Sequence, residues 1–227
     1  GGGLYLDYSP AVIQGNTIFT NTAYYGGGLV LYSSDGALAT GNTIISNTAS
    51  YGGGLYLEDS TATVNGNTIS RNTSYDGGGV YVDGYGVNPT ISGNTIISNT
   101  ATDEGGGLYL AYMEEGTISG NTIRGNTAAY YGGGLYMEYS NVTISGNTII
   151  SNTAAQYGGG VYMWGEYPVF INNIIAENRA NINGSGLYVY GSDARLMHNT
   201  IARNRGGDGV GIYVSGSYPV LTDTILV

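Results

Sequence analysis

The chain has 227 residues, enough for one domain or one elongated repeat body. Six arginines and no lysine stand against 16 carboxylates, for a net charge of -10, which argues against the extended cationic surface that a nucleic-acid partner needs. Cysteine is absent, which excludes disulfides and thiolate chemistry, and no 18-residue apolar run exists to cross a membrane as a helix.

The first element recurs. A Gly-Gly-Gly-Leu/Val-Tyr block opens at Gly1, Gly52, Gly77, Gly105, Gly132 and Gly158. Gly26 opens the same block with Val30 in the tyrosine place, and degenerate copies open at Gly184 and Gly209. The blocks are 25 to 28 residues apart, a spacing that signals a solenoid. Each block predicts a short strand such as Leu4-Tyr5-Leu6, with the leucines pointing inward and the tyrosine outward. The outward column is Tyr5, Tyr56, Tyr81, Tyr109, Tyr136, Tyr162, Tyr188 and Tyr213, expected to face solvent or a covering loop. More tyrosines precede the glycine runs, at Tyr24, Tyr25, Tyr51, Tyr130, Tyr131 and Tyr157.

A second strand follows, with the inward series Ile13, Ala39, Val64, Ile91, Ile118, Ile144, Phe170, Leu196 and Val220. Its outward places hold serine in several middle repeats but Ile171, Met197 and Leu221 toward the end, which suggests a covered end. The third strand lies in Gly-Asn-Thr-Ile-x-x-Asn-Thr, whose isoleucine column runs from Ile18 through Ile44, Ile69, Ile96, Ile123, Ile149, Ile175 and Ile201 to Ile225. The block also predicts two buried asparagine ladders. One is Asn16, Asn42, Asn67, Asn94, Asn121, Asn147, Asn173 and Asn199, with Asp223 in the last place. The other is Asn21, Asn47, Asn72, Asn99, Asn126, Asn152, Asn178 and Asn204. Asparagines that recur in register can bond to those above and below, and satisfy backbone groups the turns leave open.

Three short strands per repeat, with no helical periodicity, predict an all-β, single-stranded parallel β-helix of about nine rungs of 25 to 28 residues. Residues 1–227 read as a single solenoid domain, with 184–227 as degenerate terminal rungs. The chain opens and closes in mid-repeat, and is expected to be a fragment or mature part of a longer protein. Rungs stacked about 4.8 Å apart would make a rod of roughly 40 Å. Its open rung edges are expected to be capped, continued or stacked end to end on a second copy.

The repeats Gly53-Gly54-Leu55 with Ile69-Ser70-Arg71-Asn72, and Gly106-Gly107-Leu108 with Ile123-Arg124-Gly125-Asn126, are similar to the Gly-Gly-Ala-Ile and Phe-x-x-Asn tetrapeptides of bacterial polymorphic outer-membrane and related surface proteins. Glycine replaces the alanine and isoleucine the phenylalanine throughout. The chain thus resembles the passenger regions of those proteins, within the pectin-lyase-like superfamily. That resemblance implies a right-handed coil, and an extracellular or cell-surface location.

Functional expectations follow from the outward columns. Tyrosines give rigid contact area at small entropic cost, so the Tyr5 to Tyr213 column is the candidate binding surface for a polysaccharide or a surface protein. Asp7, Glu58, Asp83 and Glu138 follow the tyrosine strand and could bridge a calcium ion, but no metal-site spacing exists and no cofactor is expected. The chemically mixed zone lies in the last three repeats, where Asp193, Arg195 and His198 are the residues a catalytic reading would use; no triad order is present. The sequence reading is therefore a structural or adhesive solenoid, with a polysaccharide-active enzyme or a non-catalytic sugar-binding module as alternatives.

Overall fold

A computed structural model describes all of residues 1–227. The chain winds as a right-handed parallel β-helix of nine rungs. Every pairing between named strands is parallel, each strand pairing with its counterpart one rung away. The tyrosine sheet begins with Leu4–Asp7 and ends with Ile212–Ser215; the second sheet runs from Val12–Gln14 to Val220–Thr222, and the third from Thr17–Phe19 to Ile225–Leu226. A fourth sheet of two-residue strands, from Thr73–Ser74 to Arg179–Ala180, goes beyond the three strands per rung that periodicity predicts. Its inward residues are small, Ala101, Ala128, Ala154 and Ala180, each at most 1 % exposed, which suits a corner where the tube is narrow.

The leucine, isoleucine and valine columns form one continuous core along the rod. It is all hydrocarbon from Leu29 to Ile201, apart from the thioethers of Met113, Met137 and Met163. The last rung departs from the expected alignment by one residue. Leu221, not Val220, continues the second inward column, because Leu196 pairs with Leu221 and Arg195 with Val220. Likewise Leu226, not Ile225, lies beside Ile201. The outward place after Met197 therefore belongs to Thr222, so the apolar outward run stops at Met197. Two adjacent apolar residues leave strand alternation ambiguous, and only pairing with the rung below resolves it.

The glycine runs serve two separate needs. Gly52, the first of its run, sits at φ +64°, a left-handed turn that L side chains resist. Gly53 and Gly54 have ordinary φ, but a Cβ on either would stand 2.5 and 2.7 Å from the carbonyl oxygens of Gly78 and Gly79 on the next rung.

Both asparagine ladders are continuous. Asn126 shows the unit: its Oδ1 accepts from the Asn99 backbone N–H at 2.9 Å and from Asn99 Nδ2 at 3.1 Å. Its own Nδ2 donates to Ile96 O at 3.0 Å and to Asn152 Oδ1 at 3.0 Å. One side chain thereby ties three rungs together. Asp223 is not the terminal member of the first ladder; Thr224 is, with its hydroxyl donating to Leu196 O at 3.1 Å. Asp223 instead occupies the left-handed turn place that Gly146, Asn172 and His198 hold in the rungs below.

Candidate functional site

The outer face of the tyrosine sheet carries most of the chemistry. Its aromatic column is not the open stripe that alternation alone suggests. Tyr56, Tyr109, Tyr136 and Tyr162 are buried, Tyr81, Tyr188 and Tyr213 are half-buried, and Tyr5 alone is exposed. Val30, at 1 % exposed, breaks the column beside Tyr5. From Tyr56 to Tyr213 the rings stack without interruption, with centroids 4.6 to 5.3 Å apart. The spacing is that of the rungs, so strand pairing dictates the stack.

The cover comes from the residue before each glycine run. Tyr25 leans on Tyr56 at 4.9 Å, Tyr131 on Tyr162 at 5.0 Å and Tyr157 on Tyr188 at 4.8 Å, each reaching the tyrosine of the following rung. Three rungs put a carboxylate in this place, Asp76, Glu104 and, in the last rung with no further tyrosine to cover, Asp208. Asp76 and Glu104 follow Tyr51 in the same column, and were not singled out by motif reading. Their signal is positional: a carboxylate where neighbouring repeats place tyrosine.

Burial is the main influence on both. It pushes Asp76 up to about 7, aided by the Asp103 and Glu138 charges and opposed by the Glu104 backbone N–H, which donates to Asp76 Oδ1 at 3.2 Å. Glu104 is pushed up to about 8 by burial and then by the charges of Asp76 and Asp103, with the Tyr136 hydroxyl favouring its ionised form. Asp83 and Glu138 are raised as well, chiefly by burial. No arginine lies on this sheet to offset them. The buried phenols Tyr56, Tyr109 and Tyr136 are held well above their ordinary value by burial and these carboxylates, so they stay protonated donors. Tyr56, for instance, donates to Glu58 at 3.0 Å.

These raised carboxyls set a pH dependence with a definite sign. A folded-state value above the unfolded one of about 4 means the folded chain holds its proton more tightly. Stability is therefore greatest below about pH 4, falls as pH rises toward 8, and is level above. After discounting for partial exposure, a drop of about 1–3 kcal/mol is expected from the pair. Urea titrations from pH 4 to 9 measure it, and Asp76→Asn/Glu104→Gln should flatten the profile. A wild-type profile that is flat or rises over this range would contradict the assignment.

Along the edge that follows the tyrosine strand, two adjoining hollows open to solvent. One, of about 450 Å³, is lined by Glu58, Asp59, Asp83, Tyr85 and Tyr112. The other, of about 350 Å³, shares Tyr85 and Tyr112 and adds Met113, Glu114, Tyr139, Asn141 and Glu166. Tyr85 is 78 % exposed, and Tyr112 stacks on Tyr139 at 5.8 Å with an 11° tilt. Tyr112 and Tyr139 adopt φ of 53° and 43°, the turn conformation that glycine takes at Gly165 and Gly191 of the same edge. Bulky side chains there splay outward over the groove.

The catalytic candidates do not converge on one another. Asp193 Oδ1 accepts from the Tyr218 backbone N–H at 2.7 Å, which ties two turns together. Arg195 stands exposed on the second sheet, its guanidinium 3.8 Å from the Met197 sulfur. His198, in the following turn, has Asp223 as its carboxylate neighbour, at 3.8 Å. No group of three or more His, Asp or Glu side chains is placed to hold a metal ion, and Asp7, Glu58, Asp83 and Glu138 are spread along the column without forming one.

No match was found among curated proteins or among solved structures. Two family profiles match: one described as "Periplasmic copper-binding protein (NosD)" over residues 84–220, and one described as "Right handed beta helix region" over residues 1–134. Each covers more than half of the chain, and they overlap in the central rungs whose columns continue unchanged from one match into the other. The protein belongs to the right-handed β-helix family, its later rungs within the group described as NosD.

Proposed function

We propose that the protein is an extracellular or cell-surface adhesive scaffold that holds a polysaccharide along the tyrosine edge. The observation that carries this reading is the pair of adjoining hollows between Tyr85, Tyr112 and Tyr139, floored by carboxylates. Flat phenol rings offer apolar faces to a pyranose ring, while Glu58, Asp59, Asp83 and Glu166 accept hydrogen bonds from sugar hydroxyls. Continuous strand pairing keeps the hollows at a set spacing, so little ordering cost remains when a chain of sugars binds. The anionic character of the face favours a neutral polymer.

Electrophoresis through gels containing neutral polysaccharides tests this. At least one polymer should retard the protein, and Tyr112→Asn/Tyr139→Asn should weaken retardation about thirtyfold, taking each of the two ring contacts as ~1 kcal/mol. Asparagine suits the left-handed backbone at both places, so the fold is kept. Unretarded migration in every gel, or equal retardation of the variant, would refute the reading.

A second reading is polysaccharide cleavage, favoured by Asp76 and Glu104, which burial keeps partly protonated near neutral pH, as a general acid requires. New reducing or unsaturated ends, lost in Asp76→Asn/Glu104→Gln, would support it.

The copper named for the matching family does not fit this chain's donors. There is no thiolate, the single histidine is His198 with Asp223 beside it, Met113, Met137 and Met163 lie in the core at no more than 1 % exposed, and the half-buried Met197 has its sulfur 3.8 Å from the Arg195 guanidinium. No copper step enters the proposed function.

A further inference from the structure

Arginine is scarce in this chain, yet two arginines stand in register. The first residue of each strand of the fourth sheet is Thr73, Thr100, Thr127 and Thr153, then Arg179, and Arg205 continues the column by a parallel bridge to Arg179. Both are exposed. Like charges on neighbouring strands repel at a rung spacing of about 4.8 Å. Neither is in an ion pair within the protein. The chain's two ion pairs are His198 with Asp223 and Arg203 with Glu177, the latter at 3.1 Å. Glu177 is the one carboxylate in the wall of the hollow beside them, and it is engaged twice: Arg203 pairs with it and the Ser151 hydroxyl donates to it at 3.4 Å. Arg179 and Arg205 flank this hollow of about 410 Å³, with Ser151, Thr153, Gly206 and the engaged Glu177 completing its wall.

We propose that the in-register pair Arg179 and Arg205 forms a binding site for a tetrahedral oxyanion, a sulfate or phosphate monoester or the free anion. Two guanidinium forks a rung apart can each take oxygens of one tetrahedral group, and the Thr153 hydroxyl is a further donor at the wall. Bound anion supplies the charge that the stacked arginines lack. The site is on a different sheet from the tyrosine edge, and it stands or falls independently of polysaccharide binding there.

The variant Arg179→Thr/Arg205→Thr is suited to the test, because threonine fills this place in the four preceding rungs. Arg195→Thr, on the second sheet, controls for loss of positive charge. Thermal unfolding is followed in sodium sulfate and in sodium chloride at equal ionic strength. Sulfate should raise the midpoint above its chloride value in the wild type and in Arg195→Thr, and the increment should vanish in the double variant. In chloride the double variant should melt no lower than the wild type, since repulsion has been removed. Retention on immobilised dextran sulfate, against dextran, then separates the sources: tenfold weaker retention of the double variant indicates a polymer-borne ester, whereas sulfate stabilisation without retention indicates the free anion. The proposal is overturned if sulfate raises the midpoint equally in the double variant, or fails to raise it in the wild type.

Discussion

Asn126→Ala is expected to destabilise the rod by about 3–6 kcal/mol, since a buried polar group left without a partner costs about 1–3 kcal/mol and each further hydrogen bond lost about 0.5–1.5 kcal/mol. The side chain is fully buried and makes four hydrogen bonds to the two neighbouring rungs. Its removal strands the Asn99 backbone N–H and takes one bond each from the Ile96 carbonyl, from the Asn99 amide, which keeps Ile69 O, and from Asn152 Oδ1, which keeps the backbone N–H of residue 126, around a space that a methyl group does not fill. Asn204, near the end of the same ladder, bonds onward to no further asparagine, so Asn204→Ala should cost less than Asn126→Ala. Urea unfolding followed by circular dichroism gives both values. Because solenoid rungs can unfold in sections, hydrogen exchange across residues 94–152 should be read alongside, with protection lost first around the substituted rung. A cost below about 1 kcal/mol would mean that water replaces the ladder and that packing alone holds the rungs in register.

Gly107→Ala is expected to be comparably severe, by a different route. The glycine has ordinary φ, so alanine meets no dihedral penalty, but its Cβ would lie 2.5 Å from Gly134 O and 3.0 Å from both Asn126 Nδ2 and Ile123 Cγ2. Relief requires the next rung to rise, which stretches the pairing of Leu108 with Leu135 and the Leu108 N–H bond to Gly134 O at 2.9 Å. Overpacking of this kind costs about 1–3 kcal/mol or more, and here the obstacle is backbone, which cannot rotate away. Gly120→Ala is the comparison. Gly120 sits at φ +62° with only Gly93 N near its Cβ position, at 4.0 Å, and Asn172 and His198 occupy the same turn in later rungs. Its cost should be about 1–2 kcal/mol, the ordinary left-handed penalty. Melting temperatures of the two variants decide the matter. If they fall equally, close approach of successive rungs is not what the second and third glycines of each run provide.

Most of the fold was legible because in a parallel solenoid the repeat is the register. Residues one period apart become neighbours, so the Ile44, Ile69, Ile96 and Ile123 column and the asparagines of both ladders follow from spacing alone. Legibility fails where the pattern does not discriminate. Val220 and Leu221 are both apolar, and so are Ile225 and Leu226; alternation admits either, and hydrogen bonding to the previous rung selects the second of each pair. The two-residue strands of the fourth sheet are too short to carry a periodicity.

The face that bears function was less legible, because phase gives direction and not exposure. Tyr109 and Tyr136 point outward from their strand as alternation requires, yet each is buried by neighbours from other rungs. Asp76 and Glu104 carry no motif; their partial burial and raised protonation arise from a tyrosine stack that exists only once rungs are piled. Arg179 and Arg205 likewise read as scattered charges until one comes to lie on the other. Local chemistry and period are written in the chain itself, since they depend on covalent order alone: which residues turn, which alternate, and which recur every 25 to 28 positions. Solvent access, charge proximity and the groove between Tyr85, Tyr112 and Tyr139 depend on distances between rungs. Those distances follow from coiling and side-chain packing, and no single repeat contains them.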